Sequence, residues 1–315
     1  MSVQGADRRI RSLRPPKLAT DPYSAHGSVI DDERRPDGRV ERALTVFLTG
    51  AECPFTCSFC DLWRYTIDGP TPPGALTRQL SNVLGAMEGP SPERLKLYNA
   101  SNFFDLRAVP AEDVAGMARL ASSFAAVTVE SHASTIGERT LAFARDIPGR
   151  LEVAIGLETI EPVAAAQLNK RLDLARFDEG VRFLAEHGID VRVFVLLGAP
   201  HVRAEESVEW TVRTVEYAVS RGASVVSIIP VRGGNGEMER LQALGHFTPP
   251  TLTQLEDALD GCLQFAPSVV TADVWDAELL PACTECRPAR IERLRRLNVS
   301  GAPEPRVACS ACDAA

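Results

Sequence analysis

The chain has 315 residues, 45% of them hydrophobic, and a formal charge of −8. That length suits one large domain with an appendage, and no apolar run approaches the roughly 18 residues of a membrane span. The acidic balance excludes a surface that grips nucleic acid everywhere, because phosphate contacts require a basic field.

Residues 1–42 are rich in Arg, Pro and Asp without sustained periodicity and read as an extension that wraps or frays. Their start, MSVQGADRRIRSLRPPK, is basic but lacks the apolar segment of a secretory signal. Eight cysteines without such a signal point to reduced thiols in a cytoplasmic protein. The charge is uneven: residues 1–20 hold five basic residues against one acidic, and residues 287–306 hold six arginines against two glutamates. Basic ends of this kind either solvate the termini or meet a polyanion.

From residue 43 to about 232, strand-like runs alternate with amphipathic stretches. Strands are expected over Leu44–Thr49, Arg94–Asn99, Ala125–Ser131, Leu151–Leu157, Asp190–Leu197 and Ala223–Ile229. Helices are expected between them, one starting after Pro110 with Glu112 and Asp113 in its first turn, another stopping at His187-Gly188. The alternation predicts an α/β fold of parallel βαβ units, six of which curl into a partial barrel with functional residues at the carboxyl ends of the strands. Residues 233–280 read as a helical extension in which Val269–Val274 adds a further strand. Residues 281–315 carry Cys283 and Cys286, an arginine-rich helix over Pro288–Leu297, then Cys309 and Cys312.

The cysteines divide into three groups. Cys53, Cys57 and Cys60 form CxxxCxxC immediately after the first expected strand, in LTVFLTGAECPFTCSFCDLW. Three thiolates in one short loop are enough to hold three irons of a cubane and leave the fourth open, and an open coordination site suggests chemistry. Cys283, Cys286, Cys309 and Cys312 are a four-thiolate set of the kind that closes around zinc or a fully ligated auxiliary cluster. Cys262 lies in a helical run as a small core residue.

With Phe59 directly before the third cysteine and a strand directly before the loop, the motif resembles that of the radical S-adenosylmethionine (SAM) superfamily. The resemblance implies a TIM-like (β/α)6 barrel over residues 43–232 with the four-cysteine appendage behind it. It also implies a [4Fe–4S] cluster on Cys53, Cys57 and Cys60, SAM bound at the open iron, and an electron donor such as a ferredoxin or flavodoxin. SAM would be cleaved to methionine and a 5′-deoxyadenosyl radical that takes a hydrogen atom from substrate.

Relatives carry a glycine-rich segment after the second strand for the methionine amino group. Here that position reads LYNASNFFD, and Asn99, Ser101 and Asn102 offer the same hydrogen bonding, or else form a plain Asn/Ser turn. Glu130, Ser131 and His132 end the third strand, and Glu130 joins the cofactor-binding set. By position Glu158 meets the ribose and Lys170 the carboxylate, unless the two make a surface ion pair. Pro230 resembles the platform beside adenine, and His201 and Arg232 are candidates for substrate contact.

CPFTCSFC, LYNASNFFD, VESH, IGLET to LNK, VFVLLGAP, SIIPVRGGNGEMERL and the closing CSACD together resemble the radical SAM subunit of archaeosine synthase, near Elongator-type and methylthiotransferase-type enzymes. That branch implies chemistry on a tRNA base, with the basic termini on the RNA backbone. The alternatives are a small metabolite or peptide substrate, with an auxiliary cluster in the tail, and a non-enzymatic zinc-binding adaptor.

Overall fold

A computed structural model describes residues 3–313. The chain opens with helix α1 (Val3–Leu13), then a hairpin of β1 (Gly27–Arg34) and β2 (Val40–Phe47). Helices and strands then alternate: α2 (Ala75–Gly85), β3 (Arg94–Tyr98), α3 (Ala111–Leu120), β4 (Ala126–Glu130), α4 (Glu138–Asp146) and β5 (Arg150–Glu158). After α5 (Pro162–Gln167) and α6 (Leu174–Glu186) come β6 (Asp190–Leu197), α7 (Ser207–Ser220) and β7 (Val225–Pro230). The last elements are α8 (Glu237–Ala243), α9 (Leu252–Cys262), β8 (Val269–Ala272), α10 (Arg287–Ser300) and α11 (Ser310–Asp313). Among the described residues, no helix is long and apolar enough to cross a membrane.

The eight strands form one sheet in sequence order, curled into a nearly closed barrel. β1 runs antiparallel to β2, and every later pair is parallel. All six expected strands form, and β8 is the further one. Alternation along the strands explains the layering. Leu44, Val46, Leu95, Leu97, Val127, Val129, Val153, Ile155, Val193 and Val195 point outward into the apolar core under the helices. The intervening residues face the lumen.

The segment 1–42, expected to wrap or fray, supplies α1 and the edge strand β1, which the sequence did not suggest. The reason is chemical. Glu33 of β1 pairs with Lys96 and, at 2.7 Å, with Arg192. Arg35 and Arg192 both hold the fully buried Glu152, at 2.7 and 2.8 Å, and Arg94 holds Glu41 at 2.9 Å. A strand that brings its charges to a buried ion network looks in sequence like a solvated loop. Four cations surround Glu152, Glu33 and Glu41 at the amino-terminal end of the lumen, so that end is plugged and the free space lies toward the carboxyl ends.

α10 packs against both β1 and β8, the two edges of the sheet, and buries Ile291, Leu294 and Leu297 there. The tail therefore completes the barrel wall.

Candidate active site

The CxxxCxxC loop leaves the carboxyl end of β2, with Cys53, Cys57 and Cys60 all partly or wholly withdrawn from solvent. Three other strand ends hold it in place. Ser58 N–H donates to the Leu168 carbonyl at 2.9 Å, and Asn169 Nδ2 donates to the Thr56 carbonyl at 2.9 Å, both partners coming from the segment after β5. From the loop after β7, the buried Asn235 amide donates to the Ser58 and Cys60 carbonyls at 2.9 and 3.2 Å. Phe59 packs on Leu196, Val231, Met238 and their neighbours at the ends of β6 and β7. Pro230, the last residue of β7, lies buried there opposite Leu197.

α1 crosses the outside of this loop. Asp7 accepts from Asn169 Nδ2 at 2.9 Å, from the Thr56 hydroxyl at 2.5 Å and from Arg171. Although its partial burial opposes this, the hydrogen bonds from Thr56 and Asn169, with Arg171, hold the Asp7 carboxyl down at about 2. Farther along, Arg9 pairs with Glu237 at 2.9 Å, Arg14 with Glu52 at 2.7 Å and Lys17 with Glu52 at 2.9 Å.

Burial raises all three thiols of the loop, Cys57 to about 12, with nearby Lys170 pulling Cys53 and Cys57 the other way. Without a metal these sulfurs stay protonated. A bound cation that deprotonates them removes the burial penalty, the usual coupling between metal affinity and thiol ionisation. The three thiols also lie within electrostatic range of one another, a donor set of the kind that a metal centre takes. Asn102 turns its amide toward Cys53 Sγ at 3.6 Å and accepts the His132 N–H at 2.7 Å. Phe55 stacks on the His132 ring, centroids 4.2 Å apart. Burial, then Lys170, lowers the His132 imidazole to about 4, so it is neutral.

Next to the thiols, the turn after β3 wraps the end of β4. Ala100 takes φ 53°, which turns the N–H groups of Asn99, Ala100 and Ser101 onto the Glu130 carboxylate, Asn99 N at 2.7 Å. Such a run of converging N–H groups is an anion nest. Burial nevertheless outweighs these donors and lifts Glu130 to about 7. The side chains of the same turn have no protein partner: both amide atoms of the fully buried Asn99 and the Ser101 hydroxyl make no hydrogen bond. Buried polar atoms left without partners cost about 1–3 kcal/mol each, which makes Asn99 and Ser101 candidates for contact with a ligand.

Glu158 and Lys170 meet at 2.7 Å, with side chains only 6% and 14% exposed. This is a buried pair and not the surface pair considered above. A register shift between Gly156 and Glu158 and a left-handed φ of 70° at Glu158 aim the carboxylate inward. Gly156 leaves room for the pair, because a Cβ there would stand 2.0 Å from Glu158 Oε1 and 2.7 Å from Lys170 Nζ and push on both. Despite the burial, Glu158 and the thiols raise the Lys170 ammonium, which stays charged. Cys53, Cys57, Glu130 and Glu158 all lie within electrostatic range of Lys170, which groups them as one candidate site.

Arg232 is committed elsewhere, to Asp273 at 3.1 Å and Asp276 at 2.5 Å. His201 faces His246, with ring centroids 5.1 Å apart, outside this group. The loop-holding role of Asp7, Asn169 and Asn235 was not anticipated. An asparagine set among glycines in GGNG is a signal that was open to reading at Asn235.

No family description matches the sequence, and no curated protein matches it. The fold does have solved relatives. A radical SAM methyltransferase from Sphaerobacter thermophilus superposes with a TM-score of 0.52 at 16% identity, covering 82% of this chain and 79% of that one. The archaeal Methanocaldococcus infernus Elp3 superposes with a TM-score of 0.51 at 13% identity, over 71% of this chain. This chain spans 58% of that Elp3's length. The chain shares the fold of radical SAM proteins.

Proposed function

We propose that the chain is a radical SAM enzyme. The observation that carries this reading is the junction of three half-buried thiols with a turn of unpartnered polar atoms at the carboxyl ends of one barrel. Cys53, Cys57 and Cys60 would hold a [4Fe–4S] cluster, which when reduced supplies the electron that cleaves SAM to methionine and a 5′-deoxyadenosyl radical. Asn99, Ser101 and the Glu130 carboxylate receive the methionine ammonium group, Lys170 its carboxylate, and Glu158 the ribose hydroxyls. Phe59 and Pro230 border the adenine. α1 and the Asn235 bonds keep the cysteine loop seated and water out. The electron comes from a small redox protein of the ferredoxin or flavodoxin class.

A substrate that enters the lumen is favoured over tRNA. Phe47, Tyr98, Phe194, Ser227 and Thr271 line the lumen above the ion network and are only half-buried, as residues beside a substrate would be. The basic ends that suggested RNA are largely committed to ion pairs. Arg9, Arg14 and Lys17 pair in the N-terminal segment, and Arg290, Arg293, Arg295, Arg296 and Arg306 pair in the tail. A tRNA base remains the rival substrate, as in the archaeosine branch.

Anaerobic reconstitution followed by iron and sulfide counts and a 5′-deoxyadenosine assay tests the activity. About four irons and four sulfides per trio with SAM cleavage support it, and a loaded protein that leaves SAM intact refutes it. Salt-sensitive retention of tRNA would overturn the small-substrate reading.

A further inference from the structure

The four tail cysteines carry an inference that does not rest on the proposed activity. We infer that they bind a single tetrahedral metal ion of the zinc class, not an iron–sulfur cluster, and that this ion locks the seam of the barrel.

The first half follows from distances. Sγ atoms of Cys283, Cys286, Cys309 and Cys312 all lie within 4.8 Å of one another, and those of Cys286 and Cys312 are 3.7 Å apart. One ion with metal–thiolate bonds of about 2.3 Å sets its four sulfurs about 3.8 Å apart. A tetrahedron with edges of 4.8 Å has its corners about 2.9 Å from the centre. Four irons each about 2.3 Å inside those corners would then sit within about 0.6 Å of the centre, on top of one another. The sulfur cage holds one metal and has no space for sulfides. All four cysteines are free of disulfides.

The second half follows from what lies between the two CxxC pairs. Cys286 directly precedes α10, and after Gly301 the chain doubles back along the helix to bring Cys309 and Cys312 to its start. α10 fills the space between β1 and β8, the two edges that do not pair with each other. Its Asn298 side chain acts as a missing strand neighbour for β8: Nδ2 donates to the Ala272 carbonyl at 2.8 Å, and Oδ1 accepts the Ala272 N–H at 2.8 Å. At the other edge Gly301 lies so close to β1 that a Cβ there would stand 2.1 Å from Arg34 Cζ. The returning segment is tied down by the buried Arg293, which donates to the Glu304 and Pro305 carbonyls and to Asp260. Both ends of this closing unit meet at the four sulfurs, so an ion there fixes the helix in the seam.

The full chain with Cys53, Cys57 and Cys60 changed to Ala isolates the tail for metal counting. The expected result is one zinc per chain without acid-labile sulfide, and in the metal-free protein a 1:1 Co2+ titration with the intense visible bands of a tetrahedral thiolate site. Two or more irons with sulfide, or no retained metal, would overturn the assignment. For the seam, metal removal from the intact chain by chelation, and separately Cys309→Ser/Cys312→Ser, should lower Tm by roughly 10 °C. Both should also speed amide exchange in β1 and β8 while leaving β4 and β5 protected. Chelation that strips the metal without changing exchange in β1 and β8 would refute the seam role.

Discussion

Changing Gly156 to Ala tests whether the Glu158–Lys170 pair is built as described. Gly156 does not occupy the left-handed region, so the new methyl group adds no backbone strain, and its effect is steric. It would overlap Glu158 Oε1 at 2.0 Å and crowd Lys170 Nζ at 2.7 Å, so the two charges must part or β5 must shift. Parting a buried pair costs about 3–5 kcal/mol when one charge is stranded. Overpacking alone costs about 1–3 kcal/mol. Residual water access to Lys170, 14% exposed, offsets part of the first figure, so the net expectation is about 2–4 kcal/mol. Urea denaturation of the metal-loaded protein measures this, and equilibrium dialysis should show SAM affinity down by at least about tenfold, or 1.4 kcal/mol. In Gly156→Ala/Glu158→Ala the obstructed carboxylate is gone, so the double variant should cost little more than Glu158→Ala alone. Stability within about 0.5 kcal/mol of the parent, or strict additivity in the double variant, would refute the steric reasoning.

Three further outcomes are expected. Cys57→Ala should abolish SAM cleavage while leaving the circular dichroism spectrum intact, because the loop lies outside the barrel core; unchanged 5′-deoxyadenosine formation would contradict the site. Glu130, held at about 7 against an ordinary 4.5, keeps its proton in the native state across that window while the unfolded chain loses it. Stability of the metal-free protein therefore falls as pH rises from about 4.5 to 7, and SAM affinity, which uses the carboxylate, falls as pH drops below 7. Glu130→Gln should flatten both profiles, read by thermal melts and calorimetric titration. Asp7→Ala removes the acceptor shared by Thr56, Asn169 and Arg171, and limited trypsin digestion should then cut sooner at the exposed Arg8 and Arg11.

Much of this structure was legible in the sequence because its signals are local. The strand-like runs at Arg94–Tyr98 and Asp190–Leu197 alternate with amphipathic helices, and such patterning is set by burial on one side of each element. CxxxCxxC marks its candidate ligands by spacing alone. β1 was hidden because its inward residues are charged, and only pairing with Lys96 and Arg192 from distant strands makes them interior. Asp7 was hidden for a related reason: its three partners come from residues 56, 169 and 171. The meeting of Glu158 with Lys170 could be placed by position, yet the bulge that buries the pair depends on the β5–β6 register. Arg232 shows the reverse case, a residue whose place at a strand end suggested substrate and whose partners are Asp273 and Asp276.

The seam also bears on how the chain is made. β1 is synthesised early, and the helix that covers its free edge is among the last segments to appear. Throughout synthesis that edge is available to any other extended chain, the usual route to aggregation. Asp31, Asp32, Glu33 and Arg34 place four successive charges along it. The run that gives the finished barrel its Glu33 thus also guards the nascent chain while its cover is still to come.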